Sequence, residues 1–104
     1  VPKDGPSAGI AIGVCLYSLF NDIPIKNDIA ITGEINLQGN VTAIGGLDLK
    51  ILGGIMGGVK TFLFPKENQK DFDEFMEKTK DNNDIKDITF IAIETLDDAI
   101  QHSL

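Results

Sequence analysis

A serine flanked by glycine, proline and alanine near the start of the chain is the first residue whose setting suggests catalysis. Residues 2–9 read PKDGPSAG, and Ser7 lies at the predicted first turn of a helix. The unpaired N–H groups and the positive dipole end of such a turn stabilise a developing oxyanion. Nearby glycines let a substrate backbone approach closely. Ser7 is therefore a candidate nucleophile, although an ordinary N-cap serine fits the same pattern.

A nucleophilic serine needs a base, and the chain offers two candidates. His102, the only histidine, lies on the polar side of the predicted last helix, so a Ser-His-Asp triad is poorly supported. Lys50 is the alternative, because burial disfavours the charged form of a lysine and leaves an amine that accepts a proton. Its neighbours Leu49, Ile51 and Leu52 are predicted to surround its aliphatic stem. An exposed lysine on an amphipathic helix fits the same residues.

Two other patterns suggest binding sites but have the wrong spacing. Residues 53–61, GGIMGGVKT, end in Lys-Thr like a phosphate-binding loop, yet Val59 separates the last glycine from the lysine. The run also leads from a predicted helix into a predicted strand, which is the reverse of the required order. The oxygen-bearing run Asp81, Asn82, Asn83 and Asp84 lacks the glycine and distal glutamate of a calcium-binding hand. The sequence therefore predicts no cofactor and no metal ion within this chain.

Hydrophobic periodicity divides the chain into alternating helices and strands. Residues 7–20 are small or apolar on nearly every face, which predicts a central helix surrounded by protein. Strands over residues 28–35 and 40–44, joined by a Gln-Gly-Asn turn, form a predicted hairpin. The other predicted elements are a helix over 47–56, a strand over 61–64, a helix over 66–78, a polar loop over 80–87, a strand over 88–93, and a closing helix with Leu96, Ala99 and Ile100 on its apolar face. This order is typical of the α+β or α/β class.

Length and composition restrict the kind of protein. A chain of 104 residues, 42% of them hydrophobic, is expected to form one domain, and no apolar run reaches the ~20 residues of a membrane span. The formal net charge of −7 repels a phosphate backbone, so nucleic acid is not expected as a partner. Cys15, the single cysteine, cannot form an internal disulfide and is predicted to be buried. The first residues have neither the basic start nor the apolar stretch of a secretory signal. Because the chain begins with Val1 and not Met, and leads directly into a Gly/Pro-rich turn, we expect a segment of a longer protein.

Several ordered motifs resemble the proteolytic domain of Lon proteases, which are ATP-dependent serine endopeptidases. Residues 2–9 are similar to the family's serine signature. The family's second block is resembled by residues 32–35, 37, 39–41, 44–47 and 50. Lys50 follows Ser7 by 43 positions (50 − 7), which is the family spacing. The motifs GGVKT over residues 57–61 and PKEN over 65–68 resemble two further family motifs. Several motifs in order make a specific match, which identifies residues 1–104 as the carboxyl-terminal part of a Lon-type proteolytic domain.

The resemblance implies a fold and a catalytic pair. The fold would be a small mixed sheet packed with helices, of class α+β, lacking strands that belong upstream. Ser7 would be the nucleophile, and Lys50 the general base that takes its proton and later returns it to the leaving amine. The backbone N–H groups of Ser7 and Ala8 would bind the oxyanion.

Three further residues receive supporting roles from the resemblance. Thr32 would orient the lysine amine by a hydrogen bond. Glu34 would have an auxiliary part, or be a surface carboxylate at a strand end. Asp4 would approach the dyad in a closed, inactive arrangement.

The chain departs from the family pattern around the lysine. Asp48 and Leu49 stand where the family usually has Lys-Glu, and residues 53–56, GGIM, replace a more polar, alanine-rich helix. Glycine in a helix costs ~1 kcal/mol relative to alanine, so this pair weakens the lysine helix or lets it pack closer to a neighbour.

The resemblance also implies properties of the longer protein. ATP and magnesium would bind an ATPase module outside this chain, identical subunits would form a ring, a hexamer in the usual case, and unfolded proteins would be the substrates. The compartment would be the cytoplasm, or an organelle matrix if a targeting peptide precedes this segment. The alternative is a noncatalytic module with the Lon proteolytic fold that serves assembly or partner binding.

Overall fold

The computed structural model describes residues 9–26 and 28–104 and consists of five strands, five α-helices and a 3-10 turn within those residues. In chain order they are α1 (Gly9–Asn21), β1 (Ile29–Ile31), β2 (Glu34–Ile35), β3 (Val41–Thr42), α2 (Leu47–Met56), β4 (Thr61–Pro65), the 3-10 helix (Lys66–Asn68), α3 (Gln69–Lys78), α4 (Asn83–Lys86), β5 (Thr89–Ile93) and α5 (Leu96–Ser103). Helices and strands are mixed along the chain, which confirms the predicted α+β class.

A three-stranded parallel sheet in the order β1-β4-β5 forms the middle of the fold. Side chains of the central strand β4 alternate between its two faces, as the period of a strand requires. Phe62 and Phe64 belong to one core cluster, and Leu63 belongs to the other. Because four consecutive residues of β4, from Phe62 to Pro65, are buried, this strand is covered on both faces.

Helices cover the two faces of the sheet. On the face of Phe62 and Phe64, α2 and α3 pack together and supply Leu47, Ile51 and Phe75 to the core. Additional buried members of that cluster are Ile44 and Ile85. On the face of Leu63, α1 packs against α5, and the cluster comprises Ile10, Val14, Val41, Leu63, Ile93 and Ala99. None of the helices in residues 9–26 and 28–104 is long and apolar enough to cross a membrane.

The predicted hairpin exists but is shorter than expected. The predicted strand over residues 28–35 breaks at Gly33, whose φ of +143° turns the chain. Its first half, β1, pairs in parallel with β4, and its second half, β2, pairs antiparallel with β3. The parallel and antiparallel pairings therefore occur in two separate sheets. In the turn, the Asn36 side chain accepts hydrogen bonds from the backbone N–H groups of Gln38 and Asn40, each at 3.0 Å.

The prediction that protein surrounds α1 on all sides is wrong for this chain. Ile10 and Val14 are completely buried, whereas Leu19 and Phe20 are 76% and 82% exposed. Cys15 is also exposed, so its predicted burial is wrong as well. An apolar run predicts a buried helix but does not identify which of its faces the rest of the chain covers.

The predicted polar loop over residues 80–87 contains a short helix, α4. The Asn82 side chain caps it by accepting a hydrogen bond from the Asp84 N–H at 2.8 Å. Ile85 is 2% exposed and joins the core. One apolar residue among polar neighbours gives no periodic signal, so the pattern did not predict this helix.

A capping box starts α5. The Thr95 side chain accepts a hydrogen bond from the Asp98 N–H at 3.1 Å, and Asp98 accepts from the Glu94 and Thr95 N–H groups at 2.9 and 3.1 Å. These bonds, that of Glu94 first, hold the pKa of the Asp98 carboxyl below its usual value of 3.8, and the opposing effect of burial is smaller. His102 lies in the last turn and is exposed, as predicted.

Asp98 makes a pH-dependent contribution to stability. Because its folded pKa is lowered, the ionised carboxylate stabilises the fold at neutral pH, and the contribution is lost as the pH falls below about 4. We expect Asp98→Ala to lower the free energy of unfolding at pH 7, and the difference from wild type to shrink as the pH falls below about 4. Urea unfolding of the 104-residue chain measures this. Asp97→Ala is the control, because Asp97 is the preceding residue and is exposed. If the difference in free energy of unfolding from wild type shrinks equally for both variants, Asp98 is not the source of the pH dependence.

Candidate active site

The predicted nucleophile lies just before the described part of α1. Ser7, Asp4 and Ala8 fall outside the described residues, so the predictions about these three stay predictions. The described helix begins at Gly9, two positions after Ser7. The described residues nearest to Ser7 in sequence are therefore those at the beginning of α1.

The beginning of α1 packs against the bend between β1 and β2. The N–H of Ile10 donates to the carbonyl oxygen of Gly33 at 3.3 Å. A Cβ at Gly33 would lie 2.5 Å from Val41 Cγ1, 3.3 Å from Pro65 Cγ and 3.4 Å from Ile10 Cγ2. Only glycine lets the backbone approach its neighbours this closely at this φ. The first turn of α1 is thereby fixed at the carboxyl end of β1.

Thr32, the residue predicted to orient the lysine, is buried at this bend. Its backbone N–H and its Oγ1 both donate to the carbonyl oxygen of Leu63 in β4, at 3.1 and 3.0 Å. The hydroxyl hydrogen is used in that bond, while the hydroxyl oxygen has lone pairs with which to accept from an amine. The structure therefore anchors Thr32 to the central strand, and the bond to Lys50 stays a prediction.

Glu34 lies one residue beyond Gly33, in β2. It is half-buried and pairs with Thr42 of β3, whose hydroxyl donates to the Glu34 carbonyl oxygen at 3.4 Å. Its carboxylate makes no hydrogen bond or ion pair with another residue of the described ranges. The structure places Glu34 on the same bend as Thr32, which is compatible with both of its predicted readings.

Lys50 lies on α2, and its surroundings differ from the prediction. Its backbone N–H donates to the Gly46 carbonyl oxygen at 3.1 Å, and the residue is half-buried. Ile51 is completely buried, but Leu49 and Leu52 are 71% and 41% exposed, so these two leucines do not surround the lysine stem. Successive helix residues turn by about 100°, so neighbours in sequence point in different directions.

The residues that share the side of α2 with Lys50 are those three and four positions away. Leu47 is 3% exposed, and Gly54 packs so that a Cβ there would lie 3.4 Å from the ring of Phe62. Gly53 has no atom within 4 Å of such a Cβ. The helix runs unbroken through both glycines. A Cβ at Gly54 would make ordinary van der Waals contact, so the packing there does not require glycine.

The central strand and the turn after it bind Thr32 and the segment that precedes the Lys50 helix. Leu63 of β4 binds Thr32, and Asn68, in the 3-10 helix that follows β4, binds the backbone of Ile44 just before α2. The motif match included Asn68 without giving it a role. The only sequence signal for one was an amide in the first turn of the predicted helix over 66–78.

A cavity of about 420 Å³ lies beside this region, between the start of α2 and α3. It is lined by both glycines before α2, Asp48, Leu52, Asp71 and Glu74, among others. No group of three or more His, Cys, Asp or Glu side chains suited to a metal ion occurs in residues 9–26 and 28–104. Gly57 and Gly58 end α2 and lead into β4, which is the reverse of the order in a phosphate-binding loop.

Comparison with known proteins finds related sequences over the whole chain. The sequence profile of the Lon protease (S16) C-terminal proteolytic domain matches residues 1–104. The chain is 47% identical over 103 residues to the Lon protease of Haemophilus influenzae, and that match covers 99% of this chain and 12% of the relative. It is 43% identical over 104 residues to the Lon protease of Rickettsia typhi, covering 100% of this chain and 13% of the relative.

A third relative, the Lon protease of Azospirillum brasilense, is 42% identical over 103 residues, covering 99% of this chain and 12% of its own length. The chain therefore spans 12–13% of the length of these relatives. With a profile match over all 104 residues and identities above 40%, the chain belongs to the Lon protease C-terminal proteolytic domain family.

Proposed function

We propose that this chain is the catalytic part of an ATP-dependent serine endopeptidase that hydrolyses peptide bonds of unfolded or damaged proteins. The match of all 104 residues to a family described as proteolytic carries the proposal. The fold supports it, since the beginning of α1 and the segment before α2 are both tied to β4 and the turn that follows it.

The proposed chemistry is acyl transfer to water through a Ser7–Lys50 dyad. The neutral Lys50 amine takes the proton of the Ser7 hydroxyl as Oγ attacks the scissile carbonyl carbon. The resulting ammonium returns that proton to the leaving amine as the C–N bond breaks, and an acyl-enzyme remains. Water, deprotonated by the same amine, then attacks the ester carbonyl carbon. The C–Oγ bond breaks, the Lys50 ammonium returns the proton to Ser7 Oγ, and the second product leaves as a carboxylic acid.

The position of α1 supports the serine's role in this scheme. Two residues of chain connect Ser7 to Gly9, and two Cα–Cα steps span at most about 7 Å. The helix dipole gives the beginning of α1 a partial positive charge, which favours an oxyanion beside the N–H groups of Ser7 and Ala8. The attacked carbonyl would then lie near the carboxyl end of β1, the edge at which parallel sheets commonly bind substrates.

The supporting residues are part of the same proposal. Thr32 accepts a hydrogen bond from the Lys50 amine while its own hydrogen stays with Leu63. Glu34 has an auxiliary part at the neighbouring bend, and Asp4 approaches the dyad only in an inactive arrangement. A variant with Thr32→Val would keep the shape of the side chain and lose both bonds of the hydroxyl.

The partners and the setting are proposed from the family. Identical subunits form a ring, a hexamer in the usual case, and an ATPase module outside this chain binds ATP and magnesium and delivers unfolded protein substrates. The cytoplasm, or an organelle matrix, is the proposed compartment. The three relatives compared above all carry the name protease, which favours this function over a noncatalytic assembly module.

Degradation of an unfolded protein substrate by the full-length protein with ATP tests the proposal. Wild type should cleave it, and Ser7→Ala should not. Ser18→Ala is the matched control, because it removes a hydroxyl near the far end of α1, where Ser18 donates to the Ile23 carbonyl oxygen. A wild-type protein that cleaves nothing, or a Ser7→Ala variant that cleaves as fast, would favour the noncatalytic module.

A further inference from the structure

We propose that Asn68 is a positioning residue for catalysis, because its side-chain amide clamps the backbone from which the Lys50 helix starts. The inference rests on the proposed function, in which Lys50 is the base. It assigns to Asn68 no contact with substrate. Its effect on the reaction would come from where it holds α2.

The amide of Asn68 makes three hydrogen bonds within the protein. Its Oδ1 accepts from the Ile44 N–H at 2.9 Å, and its Nδ2 donates to the Ile44 carbonyl oxygen at 2.9 Å. The second hydrogen of Nδ2 goes to Asp71 Oδ2, also at 2.9 Å. Asn68 is 1% exposed, so water does not compete for these bonds. The preceding residue, Glu67, makes a further hydrogen bond to this segment, because its Oε1 accepts from the Ala43 N–H at 2.9 Å.

A carboxamide is suited to this task because it has a donor and an acceptor on one planar group. The two bonds to Ile44 resemble the pairing of a residue with a neighbouring strand, and they engage both polar groups of a backbone that is itself buried. The carboxylate of Asp71 accepts only, so it fixes which end of the amide is nitrogen. An aspartate at position 68 would keep the bond to the Ile44 N–H and lose the bond to the Ile44 carbonyl.

Ile44 matters because little else holds the chain between it and α2. Gly45 and Gly46 are exposed, and no atom lies within 4 Å of where their Cβ atoms would be. Gly46 is the N-cap residue, has φ of +67°, and provides no side-chain cap. The start of the helix is therefore fixed by the buried side chains of Ile44 and Leu47 and by the hydrogen bonds between Asn68 and the Ile44 backbone.

A displacement of the first residues of α2 would move Lys50, the proposed base, by almost the same distance. Lys50 lies four positions after the N-cap, which is about 6 Å along a rigid helix axis. A displacement of about 1 Å between catalytic groups is sufficient to lower a rate by about 100-fold. Loss of the clamp should therefore slow the chemical step, and substrate binding should change little because Asn68 does not touch the substrate.

The test compares variants of the full-length protein in cleavage of a fluorogenic peptide. For Asn68→Asp we expect kcat to fall by about 10- to 100-fold, with KM changed by less than about threefold. Asn82→Ala is the matched control, since it removes another structural amide, the N-cap of α4, and should leave kcat per folded protein unchanged. Unchanged kcat in Asn68→Asp, or a change confined to KM, would overturn the inference.

A double variant separates the clamp from charge repulsion. Asn68→Asp places a carboxylate beside Asp71, and adding Asp71→Asn relieves that repulsion without restoring a donor to the Ile44 carbonyl. We expect the double variant to stay as slow as Asn68→Asp. Recovery of wild-type kcat would show that repulsion, and not the lost clamp, caused the defect.

An exposed position provides a second route if Asn68→Asp does not fold. Asp71→Ala leaves the Ile44 bonds in place but frees the amide to turn, and we expect kcat to fall a few-fold at unchanged KM. Asp73→Ala, which removes an exposed carboxylate of the same helix bound to Gln69, is its control. Equal kcat values for Asp71→Ala and Asp73→Ala would overturn the inference.

The outcomes also separate this inference from the proposed function. If Lys50→Ala cleaves as fast as wild type, the dyad itself is wrong whatever Asn68 does. If Lys50→Ala is inactive and Asn68→Asp is as fast as wild type, only the positioning role fails.

Discussion

Replacing Lys50 with alanine should lower cleavage of a fluorogenic peptide by the full-length protein about a thousandfold or more. The reason is that a serine hydroxyl is a weak nucleophile until a base takes its proton. The sole histidine, His102, is exposed in the last turn of α5, and we do not expect it to replace Lys50 as the base. Because the alanine removes a half-buried lysine from one side of α2, the helix and its packing through Leu47 and Ile51 should remain.

Two further lysine variants show whether the amine is acting as a base. Lys50→Arg should be as inactive as Lys50→Ala, since a guanidinium stays charged and cannot accept a proton. Lys60→Ala removes an exposed lysine that precedes β4 and should keep wild-type activity. An active Lys50→Arg would mean that position 50 needs only a positive charge, which contradicts the general-base role.

Replacing Gly33 with alanine should unfold or strongly destabilise the domain. The added Cβ would lie 2.5 Å from Val41 Cγ1, and the φ of +143° is one that residues with a side chain rarely adopt. The clash and the backbone strain each cost about 1–3 kcal/mol, so we expect a loss of about 3 kcal/mol or more. For a domain of this size that lowers the melting temperature by more than about 10 °C. Thermal unfolding followed by circular dichroism measures it.

Gly39→Ala is the control that separates strain from clash. Gly39 also has a positive φ, of +84°, but no atom lies within 4 Å of its added Cβ. Gly39→Ala should therefore be destabilised by the backbone strain alone, by about 1 kcal/mol. If Gly33→Ala is no less stable than Gly39→Ala, this result would contradict the close packing of Val41 and Pro65 against Gly33. A variant that stays partly folded should still have lost activity, because the bend holds the beginning of α1 through the bond from Ile10.

Elements with strong local patterns were predictable from the sequence. The helix over residues 47–56 has the predicted bounds, because apolar residues recur at helical spacing between pairs of glycines that delimit it. The strand predicted over 61–64 is one residue longer, and the helix predicted from 66 begins at Gln69, after a 3-10 turn. These differences are at element ends, where short-range patterns are least informative.

Features that depend on distant contacts were not predictable in the same way. The residues next to Gly33 in sequence do not indicate that Val41 and Pro65 pack against it. A single strand was therefore predicted over residues 28–35, through the bend. The exposed face of α1 likewise depends on which elements pack beside it, and here α5 covers only one side.

The same limit applies to the candidate site. Motif spacing was sufficient to select Ser7 and Lys50 as candidates, because the types and order of residues are properties of the sequence. The surroundings of Lys50 were mispredicted because Leu49 and Leu52 are its neighbours in sequence but lie on other sides of the helix. The Asn68 clamp joins residues 24 positions apart, and no local pattern indicates such a pairing.

The most direct measurement of the central claim is a crystal structure of the full-length protein with a peptide boronic acid. Boron adds to the catalytic nucleophile as a mimic of the tetrahedral intermediate. The account predicts a bond from boron to Ser7 Oγ, with the Lys50 amine about 3 Å from that oxygen. A boron atom bound to a different residue, or a Lys50 amine more than about 5 Å from Ser7 Oγ, would contradict the Ser7–Lys50 dyad.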